Sequence, residues 1–217
     1  MTTKITHHPH AESLMSCSAG SMPEAFAAVM ASHITMCPQY RKDLALMEKI
    51  GVAMFEQLEQ TSVLQDAPVM HMRAAEADHG AIAVDAAVVQ GGVPAPLQPV
   101  VGPDLTAIKW KRVGPGVAQH IIALNDDRAN LRLVKVAPGQ ALPEHSHNGS
   151  ELTLVLQGSY RDETGEYRTG DLADMMGDAT HSPVADAVDG CICLIATEGK
   201  LKFKSLLARF VQPFAGI

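Results

Sequence analysis

The spacing of apolar positions changes near residue 90. Before it, helical spacing prevails. Over 40–60 the side chains Leu44, Met47, Val52, Phe55 and Leu58 fall mostly on one stripe of a helix. Upstream, Ser21-Met22-Pro23-Glu24 combines a capping box with a proline in the first turn, predicting a helix that runs to about Met36. Pro38 restarts the chain, and 71–90, rich in Ala and Val, is expected as a further helix. After residue 90 the apolar runs shorten, and strands are predicted at 107–112, 118–124, 131–136, 152–157, 171–176 and 191–197. Gly114-Pro115-Gly116, Asn125-Asp126-Asp127, Pro138-Gly139, Asn148-Gly149 and Gly177-Asp178 punctuate them, as in a barrel or sandwich. Glycine and proline crowd 91–99 and read as a linker. The expected organisation is a small all-α domain at 1–90, a linker at 91–103 and an all-β domain at 104–217.

Composition narrows the class. Apolar residues make up 47% of 217 and charged residues 19%, which suits packed cores and neither disorder nor a coiled coil. No apolar run reaches the ~18 residues of a membrane helix, and the polar, His-rich first ten residues lack the apolar stretch of a secretory signal. A cytoplasmic protein is expected. The net charge is −7, and residues 1–90 carry five Lys/Arg against ten Asp/Glu. So acidic a segment makes a poor phosphate binder, which argues against direct DNA contact, but it suits a basic protein partner. Cys17, Cys37, Cys191 and Cys193 are expected as thiols or ligands rather than disulfides.

The most specific chemistry starts at Gly139. Five residues lead to His145, one more to His147, three to Glu151 and six to Gly158. This is the first cupin motif, each spacing met. His145 and His147, two apart on a strand, face one side. Parity then sets Glu151, Thr153, Val155 and Gln157 on one face of the next strand, with Leu152, Leu154 and Leu156 on the other. His181, thirty residues after Glu151, suits a fourth ligand from a later strand. Three imidazoles and a carboxylate fit Zn, Fe, Mn or Ni. The fold expected for 104–217 is therefore a cupin barrel, a double-stranded β-helix of jelly-roll type. Cys191 and Cys193 alternate onto one strand face, either as a thiol pair near the metal or as small apolar filler.

A weaker pattern lies upstream. His33 and Cys37 are four apart on a predicted helix and share a face, and His7, His8 and His10 precede them. Zinc needs a fourth ligand, commonly a second Cys three residues after the first; Tyr40 occupies that position, and a neutral phenol is a poor donor.

The order of these features resembles a family. A helical segment carries His8 and His33-xxx-Cys37, and a Pro-rich linker leads to the His-x-His barrel. The run 151–163, Cys191-Ile-Cys193-Leu and a closing Gln212-Pro-Phe214 complete the likeness. Together they resemble the ChrR family, zinc anti-sigma factors with a C-terminal cupin. The likeness covers essentially the whole chain and is most specific over 139–163. It implies an anti-sigma-like helical domain that wraps a sigma factor of the extracytoplasmic-function (ECF) class, in a suspected 1:1 complex. It also implies zinc on His8, His33 and Cys37, and a metal-binding cupin, through His145, His147, Glu151 and His181, that responds to oxidative signals. Tyr40 departs from the family's second cysteine, leaving that zinc to be lost, weakened or completed by water, His7 or His10. Read on its own chemistry, the barrel also allows a metal-dependent dioxygenase or isomerase, with Tyr160 or Glu163 as a base, or a small-ligand binding module.

Overall fold

The computed structural model describes residues 4–58, 89–146, 149–177, 180–199 and 202–203. Three helices come first: α1 (Ala11–Ser18), α2 (Glu24–Met36) and α3 (Pro38–Glu56). α2 begins at the expected proline, yet no side chain caps it. Glu24 turns instead to the barrel and accepts the N–H groups of Asn125 and Asp126 at 2.8 and 3.0 Å. Cys37 ends α2 and caps α3, its Sγ accepting from the Tyr40 N–H at 3.5 Å. α1 has no counterpart in the hydrophobic pattern. The helix expected at 71–90 lies outside the described residues except at Val89–Gln90, a short strand.

Thirteen strands follow among the described residues. They are β1 (Val89–Gln90), β2 (Val93–Pro94), β3 (Lys111–Gly114), β4 (Val117–Ile122), β5 (Asn130–Val136), β6 (His145–Ser146) and β7 (Glu151–Asp162). After them come β8 (Gly165–Arg168), β9 (Leu172–Met175), β10 (Thr180–His181), β11 (Val184–Ala185), β12 (Cys191–Thr197) and β13 (Lys202–Phe203), with a single turn of helix, α4 (Gln98–Val101), between β2 and β3. A large antiparallel sheet runs β11-β7-β12-β5-β4-β3, with β8 and β9 also on β7; a small sheet runs β10-β6-β13. These are the strands of a cupin-like barrel. Of the six strands expected from the spacing, five begin within one residue of β4, β5, β7, β9 and β12. At 107–112, however, Leu105–Ala107 form a 3-10 turn and the strand starts only at Lys111.

Strand parity sorts the side chains. Leu152, Leu154 and Leu156 point to one face of β7, joined by Leu131 and Leu133 of β5 and Ile192 and Leu194 of β12. Val155, Val136, Tyr160, Cys191 and Cys193 point to the other, into the barrel. The first face is on the outside, yet apolar, because α2 covers it: Phe26, Val29 and Met30 are buried in the same cluster. Both faces of β7 are thus buried, the leucines under α2 and Glu151, Thr153 and Val155 inside the barrel. The residues expected as a linker join this core, with Val93 and Leu97 buried. Helices and barrel therefore share one core.

α3 differs. Its Tyr40, Leu44 and Met47 pack toward the core. Further along, Val52, Phe55 and Leu58, predicted on the same stripe, are exposed, Phe55 at 76%. Leu46, Ile50 and Met54, four residues apart, form an exposed apolar row on the same helix.

Candidate metal centres

In the barrel, β6 and β10 pair so that His145 lies opposite His181. Their Nε2 atoms are 3.0 Å apart. The other nitrogen of each ring is held from behind: His145 Nδ1 donates to the Pro143 carbonyl at 2.8 Å, and His181 Nδ1 lies 3.1 Å from Asp162 Oδ2. Such partners fix the tautomer and leave Nε2 as the ligand atom. Glu151 opens β7, is buried, and accepts the Thr153 hydroxyl at 2.9 Å. Burial pushes its carboxyl up to about 7, against the opposing pull of His181 and the Thr153 hydrogen bond. Burial, and then His181, push His145 down to about 4. Burial thus favours a neutral His145 ring and a carboxyl at Glu151 that resists ionisation. His147 lies outside the described residues.

The side chain of Asp162, at the end of β7, is buried against His181. No spacing pointed to it, because its role arises from β10 crossing the tip of the β7–β8 hairpin. Cys191 and Cys193 share the barrel face, as parity predicted. A hydrogen bond with Cys191, and then burial, hold the Cys193 thiol well above its usual range, so it stays protonated.

A second group lies between the N-terminal strand-like segment and α2. One donor atom from each of His8, His33 and Cys37 falls within 4.8 Å of the others. His8 Nδ1 is 3.5 Å from His33 Nε2 and 3.7 Å from Cys37 Sγ. His33 is fully buried, and its Nδ1 donates to the Gly170 carbonyl at 3.0 Å. Burial pushes it down to about 4 and lowers His8 as well, so both rings are in the neutral, metal-binding form. Tyr40 supplies no fourth ligand. Its hydroxyl donates to the Pro9 carbonyl at 2.5 Å, and its ring stacks on His8 with centroids 4.7 Å apart. Burial raises its hydroxyl further, keeping it a phenol. His7 and His10 face Asp171 and Asp174 instead. The donor set fits a three-ligand zinc site with one position open.

Comparison with known proteins adds the following. Residues 100–200 match the model of the ChrR cupin-like domain. The chain is 36% identical over 212 residues to the anti-sigma-E factor ChrR of Cereibacter sphaeroides, covering 97% of this chain and 98% of that one. It also superimposes on the crystal structure of Rhodobacter sphaeroides SigE in complex with the anti-sigma ChrR, with a TM-score of 0.75 and 34% identity. That match covers 89% of this chain and 99% of the other. No helix among the described residues is long and apolar enough to cross a membrane.

Proposed function

Because the chain belongs to the ChrR family, we propose that it is a cytoplasmic anti-sigma factor, sequestering an ECF-type sigma factor 1:1 and releasing it under oxidative stress. What carries this reading is the extent of the likeness, which takes in the helices as well as the barrel. The N-terminal part, residues 1–90, is the sigma-binding half. Its acidity and the exposed apolar row Leu46, Ile50 and Met54 suit a basic, apolar protein surface. The barrel, from residue 104 on, is the sensing half. His145, His147, Glu151 and His181 would hold a divalent ion, zinc or in its place Fe, Mn or Ni, which supplies a Lewis-acidic centre when bound. His8, His33 and Cys37 would hold zinc at the junction. The protein acts by binding, without turnover.

Co-expression with any ECF sigma factor encoded alongside tests this. Copurification of the pair and repression of a sigma-dependent reporter are expected, while Ile50→Glu with Met54→Glu should lower capture about tenfold or more with unchanged thermal unfolding. No complex with the unmodified chain would overturn the reading. A metal-dependent dioxygenase or isomerase is the alternative the barrel chemistry allows; metal-loaded protein turning over a diketone with oxygen uptake would favour it.

A further inference from the structure

The N-terminal centre is not built by helices alone. His8 sits on an extended segment held by one carboxylate of the barrel. The N–H groups of Thr6 and His7 donate to Asp171 Oδ1 at 2.6 and 2.9 Å. The Leu172 N–H returns a bond to the His7 carbonyl at 3.1 Å. Asp171 is 1% exposed, and its other oxygen accepts the Arg168 N–H at 2.8 Å, tying the same carboxylate to the turn between β8 and β9. The preceding residue, Gly170, accepts from the His33 ring. Its φ is +94°, and a Cβ there would lie 2.7 Å from the Ile5 side chain, so the segment is pressed against the turn. One barrel turn thus fixes the segment bearing His8 and the ring of His33.

We propose that the turn at residues 168–171 is a structural part of the His8–His33–Cys37 centre and that Asp171 is its positioning residue, holding the N-terminal segment over Cys37. For its function this rests on reading the three residues as a metal site; the positioning itself does not. The same hairpin carries Asp162, which orients His181, at its tip. A ring stack from Tyr160 to Tyr167 to His7, with centroids 5.0 and 4.4 Å apart, runs beside it. The two centres are therefore supported by neighbouring stretches of one piece of backbone, from Asp162 to Asp171.

Site-resolved alkylation of the metal-free full-length chain tests the positioning. Cys37 is 1% exposed and should react slowly with iodoacetamide. Asp171→Asn should speed its labelling about tenfold or more and leave Cys17 unchanged, because freeing the segment opens a local path to the thiol. Thr6→Pro, which removes a donated N–H without altering the barrel, should do the same if Asp171→Asn folds poorly. Asp174→Asn, which weakens the contacts to the His10 N–H, the His10 ring and the Ser13 hydroxyl, should not. Unchanged Cys37 labelling in both Asp171→Asn and Thr6→Pro, or equal acceleration by Asp174→Asn, would overturn the proposal. Cobalt(II) titration supplies the metal readout: a thiolate-to-cobalt absorption, abolished by Cys37→Ser, should need about ten times more cobalt in Asp171→Asn. Faster labelling in the variants with no such band in the parent chain would remove the metal reading and leave the positioning standing.

Discussion

Tyr40 decides the chemistry of the N-terminal centre. Its hydroxyl is committed to the Pro9 carbonyl and its ring to His8, so it packs against the site without closing it. A thiolate in its place is a soft, anionic donor, whereas the phenol must first lose a proton held more tightly than usual. Tyr40→Cys in the full chain should raise zinc affinity about tenfold or more, measured against a competing chelator; equal affinity would mean that water or another side chain already completes the site. In the barrel, His145→Ala should empty the centre, whereas Asp162→Asn should weaken metal binding by about 10- to 100-fold by freeing the His181 ring. Metal analysis of the two variants, with thermal scans showing that both stay folded, checks this. His145 and Glu151, and the pair His33 and Cys37, were legible as candidates because strand parity and helical spacing are local rules. Asp162, Gly170 and Asp171 were not, because each serves a residue far along the chain.

β7 shows what the pattern could and could not tell. Its parity was readable, and the two faces fall as expected. What lies over the leucine face was not, since no local spacing says that α2 will cover it. The burial is complete, with Leu154 fully inside, so Leu154→Ala should cost about 2–5 kcal/mol in urea unfolding. A cost near zero would mean that α2 does not rest there in solution. The reading of α3 failed in an instructive way. One helical stripe was assumed to be a core stripe, yet Leu44 and Met47 turn inward while Val52 and Phe55 do not. Periodicity reveals a helix but not which partner its apolar side awaits.

At the scale of the molecule, the expected division into helices, linker and barrel gives way to a continuous core, with Val93, Leu97 and Leu105 inside it. Composition carried no sign that the glycine- and proline-rich stretch would pack. The Asp171 contacts tie this arrangement to pH. Burial raises the carboxyl, but the N–H groups of Arg168, His7 and Thr6 outweigh burial and hold it below the ordinary value of 3.8. A depressed folded value adds stability that is fully present above the unfolded value and is lost as pH falls through the folded one. The stability advantage over Asp171→Asn should therefore hold from pH 7 down to about 5 and shrink below about 4. Urea titrations of both proteins across that range measure it; a constant difference would mean that the carboxylate is not the stabilising form.

The row Leu46, Ile50 and Met54, with Phe55 beside it, has a cost when no partner is bound. Apolar surface left facing water invites self-association and capture by quality-control proteases. The free chain should scatter light increasingly with concentration, and its lifetime in a cell should rise and fall with the supply of its partner. A surplus of the inhibitor would thereby clear itself, and the ratio of the two proteins would stay near one without a dedicated device to count them.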